Sequence, residues 1–179
     1  DVKFAVCEDE PIVADRLRDL AAAWADDRRI QAQVAVFSSA EAFLFAWEAD
    51  RGFDLLLLDI QLQGQDGVSL ARALRGAGAR LDIVFLTALP DFLAEGYEVA
   101  ALHYLMKPVD RTKLFSVLDR AAEKLRQNQR CLNLELSGEM VRIPLYEIRY
   151  LDVHQNYVTV HAKADYTVKR SLGEFAREL

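Results

Sequence analysis

The chain has 179 residues, of which 52% are hydrophobic and 28% charged, and this composition is typical of a globular protein with a sizeable core. Its net charge of −6 does not indicate nucleic-acid binding, which is typical of chains with an excess of basic residues. No apolar stretch is long enough to span a bilayer. The N-terminal residues do not form a signal peptide, and the two cysteines, Cys7 and Cys131, form neither a disulfide framework nor a metal-binding spacing. We therefore expect a cytoplasmic protein without a membrane segment.

The first 127 residues alternate between predicted strands and helices. Strands are predicted at 2–7, 33–37, 53–60, 81–86 and 101–106, and helices at 12–24, 90–98, 68–75 and 110–127, with a further helix capped by Ser38 or Ser39 that runs through Trp47. Five such strand–helix units predict a doubly wound α/β fold with a five-stranded parallel sheet and helices on both faces.

The third predicted strand contains four consecutive leucines and ends at Asp59. An unbroken apolar run of this length is typical of a strand that is buried on both faces in a parallel sheet. Ligands of such sheets bind in the crevice beyond the carboxyl ends of the strands. On this segment alone, Asp59 is either a turn residue or a carboxylate held in a binding crevice.

The pattern changes after Gln127. Residues 126–130 are polar and predict a linker. Short predicted strands follow at 132–136, 140–143, 148–153, 157–161 and 166–169, with a turn at Ser137–Gly138, and Ser171 with Glu174 forms a capping box that opens a last helix. We therefore predict an α/β domain at 1–125, a linker at 126–130 and an all-β domain at 131–179.

Polar residues stand where the strands of the first domain end. Glu8 and Asp9 follow the first strand, Asp59 the third, Thr87 the fourth and Lys107 the fifth. Three carboxylates on one sheet edge repel one another unless a cation lies among them, and Mg²⁺ prefers such oxygens. A carboxylate nucleophile, a divalent ion, a lysine and a hydroxyl together supply what phosphoryl transfer to a carboxylate requires.

Residues 1 to about 125 resemble a response-regulator receiver domain. The resemblance rests on the acidic group at 7–11, on 58–60, on Asp66–Gly67, on 86–88 and on 104–108, all in matching spacing. Glu8 stands where the family more often has Asp, and Gln63 where a proline is frequent.

This resemblance implies a role for each matching residue. Asp59 would be the phosphoacceptor for a sensor histidine kinase, and Mg²⁺ would be bound by Asp9, Asp59, the Gln61 backbone carbonyl and, through water, Glu8. Thr87 and Lys107 would contact the phosphoryl group, the Lys107–Pro108 bond is often cis in the family, and Tyr104 would be a rotameric switch paired with Thr87.

The second domain resembles the N-terminal half of a LytTR-type DNA-binding domain, the output module of LytR/AlgR regulators, in residues 143–152, 156–160 and 166–172. The resemblance implies an all-β fold whose loops contact promoter DNA through His154, Asn156 and Arg170, and the later strands of the family domain are not matched. A second interpretation of 154–156 is a hairpin turn in which Asn156 serves the backbone. Residues 131–179 carry six basic and seven acidic side chains, fewer cations than phosphate contacts require.

Three functions follow from these patterns. The first is a phosphorylation-controlled, DNA-binding transcription regulator that is not an enzyme and that dimerises on phosphorylation through a face including Leu93, Tyr97, Val99 and Ala100. The second is a receiver that controls a protein partner, with the β-domain as a docking platform. The third, an aspartate-nucleophile phosphatase, is disfavoured because the second acid such enzymes carry two residues after the nucleophile is Gln61 here.

Overall fold

A computed structural model of the protein describes residues 1–88 and 99–179, which fold into two compact units, 1–122 and 123–179. The predicted helix at 90–98 lies outside the described residues, as do Leu93 and Tyr97. The elements of the first unit, in chain order, are β1 (Val2–Cys7), α1 (Pro11–Arg28), β2 (Ala32–Phe37), α2 (Ala40–Ala49), β3 (Leu55–Asp59), α3 (Gly67–Gly76), β4 (Asp82–Thr87), β5 (His103–Met106) and α4 (Arg111–Gln129), the last of which continues into the second unit.

The five strands form one parallel sheet in the order β2-β1-β3-β4-β5. β3 lies at its centre, and all five of its residues are buried, as its leucine run predicts. Alternate strand residues enter two separate cores: Leu56 and Leu58 face α2 and α3, whereas Leu55 and Leu57 face α1 and α4. Helices therefore cover both faces of the sheet, and the predicted doubly wound fold is confirmed.

Local signals place the helix starts. Pro11 occupies the first turn of α1, where its missing N–H costs nothing. Ser39 caps α2 by accepting a hydrogen bond from the backbone N–H of Ala42, and Asp66 caps α3 in the same way through Ser69. Because each of these helices follows a strand of the parallel sheet, the three N-termini lie at the edge where those strands end.

The second unit contains antiparallel strands, as predicted. Its further elements are β6 (Cys131–Leu136), β7 (Glu139–Pro144), a 3₁₀ turn (Leu145–Glu147), β8 (Tyr150–His154), β9 (Tyr157–His161), β10 (Asp165–Lys169) and α5 (Leu172–Glu178). β6 and β7 form a hairpin whose two turn residues, Ser137 and Gly138, have φ angles of 51° and 82°. β8, β9 and β10 form a three-stranded sheet, and Ser171 caps α5 at the backbone N–H of Glu174.

The predicted linker at 126–130 is wrong for most of its length, because α4 stays helical through Gln129. Polarity alone does not end a helix: Arg126 and Gln127 are good helix formers, and both contact Glu123 one turn earlier. The compact units divide between Ala122 and Glu123, within α4. A polar helix surface was therefore mistaken for a flexible connection.

Candidate functional site

The candidate site lies where β1, β3, β4 and β5 end. Because the strands are parallel, their carboxyl ends reach the same edge of the sheet, and the register pairs Cys7 with Leu58 and Thr87 with Met106. The polar residues that follow these pairs are therefore neighbours. The structure brings together the predicted residues Glu8, Asp9, Asp59 and Lys107.

Lys107 joins two buried carboxylates. Its Nζ donates to Glu8 Oε2 at 2.7 Å and to Asp59 Oδ2 at 2.9 Å, although these partners lie 99 and 48 residues away in sequence. Glu8 and Asp59 are only 2% and 3% exposed. Burial raises the pKa of Glu8, and the charge of Asp59 adds to this effect, while the hydrogen bond from Lys107 opposes it. For Lys107, burial lowers the pKa, but the hydrogen bonds to Glu8 and Asp59 outweigh it and leave the pKa raised.

The second carboxylate oxygen of each acid has a backbone donor. Asp59 Oδ1 accepts from the backbone N–H of Gln61 at 3.0 Å, and Glu8 Oε1 accepts from that of Glu10 at 3.3 Å. Asp9 is half-buried, and its Oδ2 lies 3.4 Å from the backbone nitrogen of Gln63. These contacts hold the loop after β3 around the acids.

A divalent cation fits this donor set. One oxygen each from Glu8, Asp9 and Asp59 lies within 4.8 Å of the others. Lys107 supplies one positive charge against three carboxylates, so the cluster retains a net negative charge where water is largely excluded. Hard cations such as Mg²⁺ are bound by carboxylate oxygens of this kind.

Thr87 and Tyr104, two other predicted residues, lie on β4 and β5. Thr87 is the last residue of β4 and is fully buried, and its carbonyl accepts from the backbone N–H of Lys107 at 2.8 Å. The Lys107–Pro108 peptide bond is cis. Tyr104 is half-buried in β5, and its ring stacks on Phe85 with centroids 5.5 Å apart. The switch pairing of Tyr104 with Thr87 stays a prediction.

Sequence reasoning used Gly67 only as part of the family resemblance and gave it no role, but the structure makes it part of the site. It opens α3, and a Cβ built on it would lie 2.2 Å from the carbonyl oxygen of Asp59 and 2.9 Å from the Cα of Ile60. Its backbone N–H donates to the Ile60 carbonyl at 3.0 Å. Only glycine permits this approach of α3 to the residue that carries the central carboxylate.

Comparison with known proteins settles the family. The model of the response regulator receiver domain family matches residues 4–119. The chain belongs to this family. The receiver resembles the N-terminal domain of a response regulator/sensory box/GGDEF protein from Carboxydothermus hydrogenoformans, with 26% identity, a TM-score of 0.61 and coverage of 70% of this chain and 98% of that one. A receiver domain from Clostridium thermocellum, 19% identical with a TM-score of 0.62, shares the fold.

Similarity to bacterial relatives extends beyond the receiver. The chain is 26% identical to the sensory transduction protein LytT of Bacillus subtilis over 99% of this chain and 76% of LytT. It is also 26% identical to LytR of Streptococcus mutans, over 77% of this chain and 60% of LytR, and to YpdB of Escherichia coli K12, over 70% and 57%. These relatives confirm the predicted resemblance to LytTR-type two-component response regulators, and the chain spans between 57% and 76% of their length.

The three predicted DNA-contact residues have different environments. His154, the last residue of β8, and Asn156, in the two-residue turn between β8 and β9, are exposed. Gln155, and not Asn156, has the left-handed backbone conformation there, with φ of 55°. Asparagine adopts a left-handed backbone more readily than most other residues. Because Asn156 does not have that backbone, the hairpin turn gives no such reason for an asparagine at this position.

Arg170, by contrast, is occupied within its own unit. Its guanidinium contacts the carboxylates of Glu178 and Glu174 in α5 and lies 5.0 Å from the centre of the Phe175 ring. These contacts raise the pKa of Arg170, chiefly through the hydrogen bond to Glu178. Arg170 thus serves to hold α5 against the end of β10.

Two residues of the predicted dimer face, Val99 and Ala100, lie within the described part of the chain. Val99 is 2% exposed and belongs to the core between the sheet and α3, so its predicted place on an exposed face is wrong, whereas Ala100 is exposed.

Across residues 1–88 and 99–179, no helix combines the length and apolar character that crossing a membrane requires.

Proposed function

We propose that the chain is a phosphorylation-controlled regulator in which Asp59 accepts a phosphoryl group from the phosphohistidine of a sensor kinase. The observation that carries this proposal is the buried pairing of Asp59 and Glu8 with Lys107 at the sheet edge. Two buried carboxylates in contact with one lysine stabilise the fold poorly, because removing charges from water costs several kcal/mol for each ion. Chemistry, and not stability, explains such an arrangement.

In this reaction an Asp59 carboxylate oxygen attacks phosphorus, and the bond from phosphorus to the kinase imidazole nitrogen breaks. Glu8, Asp9 and Asp59, with the Gln61 carbonyl, would hold Mg²⁺, which when bound neutralises charge on the phosphoryl oxygens. The Nζ of Lys107 donates to Asp59 Oδ2 and so supplies a second positive charge beside the carboxylate that is phosphorylated. Thr87, at the end of β4, supplies a hydroxyl donor.

Phosphorylation of Asp59 is tested by incubating the protein with Mg²⁺ and acetyl phosphate and measuring its intact mass. Wild-type protein is expected to gain one phosphoryl group that both acid and base remove, and Asp59→Asn is expected to gain none. Lys107→Ala is expected to bind Mg²⁺ and to transmit the signal poorly, because the cation that contacts the phosphoryl group is absent. Equal labelling of wild type and Asp59→Asn would contradict the assignment, and release of phosphate from unrelated phosphoesters would indicate a phosphatase instead.

Phosphorylation is proposed to change the face that includes β5 and to favour a homodimer. β5 is an edge strand of the sheet, and its side chains His103 and Met106 are exposed. Exposed apolar surface such as Met106 on an edge is a common contact point between copies of a protein. Sedimentation with and without acetyl phosphate measures this, and an unchanged monomer fraction would contradict it.

The output is proposed to be promoter binding through the turn that carries His154 and Asn156. An asparagine side chain can pair with adenine through two hydrogen bonds, and Asn156 is exposed in the turn beside the equally exposed His154 at the end of β8. The relatives LytT and LytR are named as sensory transduction proteins, and YpdB as a transcriptional regulatory protein. A DNA titration across salt concentrations tests this, because phosphate contacts give a steep negative slope.

One observation favours the second candidate, a β-domain that docks a protein partner. Residues 131–179 carry a net charge of −1, and Arg170, one of their six cations, is paired with Glu174 and Glu178. A surface so poor in available cations attracts phosphate weakly. Binding to DNA that does not weaken between about 50 and 200 mM salt would favour the docking function.

A further inference from the structure

Arg75, in the last turn of α3, binds four backbone carbonyl groups. Its Nη1 donates to Ala79 at 2.9 Å and to Leu81 at 2.8 Å, its Nε donates to Val99 at 2.8 Å, and its Nη2 lies 3.4 Å from the carbonyl oxygen of Ala100. One side chain therefore connects the loop between α3 and β4 to the two residues that stand before β5.

These contacts require a guanidinium. Arginine presents five donors in a rigid plane, so that it can bind carbonyls in several directions at once, whereas a lysine ammonium has three donors on one nitrogen. Burial lowers the pKa of Arg75, with a smaller opposing effect from Asp82, so the charge is held at some cost in desolvation. The four carbonyls offset that cost by replacing water as hydrogen-bond acceptors.

The segment that Arg75 holds leads directly into β5. Val99 is buried in the core, and Ala100 has a left-handed backbone with φ of 51°, a conformation that an alanine adopts only when its surroundings impose it. Arg75 contacts the carbonyls on both residues and is part of those surroundings.

β5 is a short edge strand. It is four residues long, and at the edge of the sheet it pairs with β4 alone. Backbone hydrogen bonds fasten the chain on either side of it, from Leu102 to Ile83 at 2.7 Å and from Lys107 to Thr87 at 2.8 Å. The position of its first residues therefore affects the position of Lys107 three to four residues later.

We propose that Arg75 is a positioning residue that fixes the entry to β5 and thereby places Tyr104 and Lys107 against the end of β4. This rests on the proposed function, in which Lys107 contacts the phosphoryl group on Asp59. Arg75 acts through the backbone: none of its hydrogen bonds involves Glu8, Asp9 or Asp59.

Amide hydrogen exchange tests the positioning directly. Arg75→Met removes the four hydrogen bonds and keeps the aliphatic length, and Arg120→Met, at an exposed arginine of α4, is the control. In Arg75→Met the amides of Leu102 and Lys107 are expected to exchange about tenfold faster or more, since bonds from a charged donor are lost, while the amides of the central strand β3 keep their wild-type rates. Arg120→Met is expected to change neither.

A purely structural role would give a different pattern. Equal acceleration in β3 and around β5, or no acceleration around β5, would overturn the proposal. If Arg75→Met does not fold, Arg75→Lys, which keeps the charge and loses the planar fork, is judged by the same two groups of amides.

Labelling by acetyl phosphate with Mg²⁺ supplies the second measurement. Displacement of Lys107 is expected to slow labelling of Asp59 in Arg75→Met by about tenfold, because small displacements of a positioned group have large effects on rate. Faster exchange around β5 with wild-type labelling kinetics would overturn the link to Lys107. If wild-type protein takes no label, the proposed function fails, and the exchange measurement still decides whether Arg75 holds β5.

Discussion

The strand-end site of the first unit and the β8–β9 turn of the second unit carry the two halves of the proposed function, and they differ in how strongly the structure constrains them. In the first, Glu8, Asp59 and Lys107 come from three distant parts of the chain and are buried together. In the second, His154 and Asn156 are separated by one residue in sequence and are exposed to water.

This difference determines what can be inferred from each. Burying like charges side by side is unfavourable, so the arrangement at the sheet edge needs an explanation, and cation binding with phosphoryl transfer supplies one. Exposed polar side chains in a turn cost nothing and therefore carry little information. Function follows from geometry only where the geometry is energetically demanding.

The largest expected effect is on stability, and it tests whether folding requires the close contact of Gly67 with the backbone of Asp59. Gly67→Ala places a Cβ against the backbone of Asp59 and Ile60, which no rotamer change can relieve, so we expect a loss of about 3 kcal/mol or more in the free energy of unfolding. Urea denaturation measures it. The control is Gly76→Ala at the other end of α3, where a Cβ meets nothing within 4 Å and the better helix propensity of alanine is expected to stabilise the protein slightly.

The next effect would show that the exposed turn also has a specific role. Asn156→Ala is expected to cost about 1–3 kcal/mol of discrimination between preferred and altered DNA sites, because one bidentate base contact is lost. Competition titrations with single-base variants of a bound site measure this, with Gln155→Ala as the control at the neighbouring position. Unchanged discrimination would leave the turn without a recognition function.

A smaller effect concerns pH. The pKa of Glu8 is raised in the folded protein by burial and by the charge of Asp59, so the folded state holds this proton more tightly than the unfolded chain does. Without divalent cation, this contribution to stability is fully present below the unfolded value of 4.5 and is lost as the pH rises through the raised folded value. Denaturation midpoints measured upward from pH 4.5 are expected to show this loss, and Glu8→Gln is expected to reduce it.

Magnesium provides the control for that experiment. A cation that binds the folded state alone stabilises it, and more strongly once Glu8 is ionised. With saturating Mg²⁺ the stability of wild-type protein is therefore expected to hold or increase over the same pH range. An identical pH profile with and without Mg²⁺ would contradict the assignment of the acids as ligands.

The smallest effect is expected at the turn backbone. Gln155 has φ of 55°, which glycine adopts without strain, so Gln155→Gly is expected to stabilise the second unit by up to about 1 kcal/mol. Asn156→Gly, at the adjacent position without a left-handed φ, is expected to destabilise it slightly. Thermal denaturation followed by circular dichroism compares the two, and the opposite order would show that the turn is held differently.

The sequence by itself determined the fold class and the order of the site residues. Hydrophobic runs, Pro11, Ser39 and Asp66 act over a few residues, and the parallel arrangement then places every strand end on one edge. These signals are local, so they survive without knowledge of the rest of the structure. The same local reasoning failed at 126–130, where polar residues continue a helix.

Only the tertiary structure decided how those residues interact. Three of these interactions join segments far apart in sequence: Lys107 contacts both Glu8 and Asp59, Val99 enters the core beside α3, and Arg75 binds the chain before β5. Gly67 is close to Asp59 in sequence, but its contact with the Asp59 backbone depends on how α3 packs. Composition and periodicity report which side chains avoid water, but not which partner each one meets. Those partners are set by the packing of helices on the sheet, because only packing brings distant segments within the few ångströms over which hydrogen bonds and charges act.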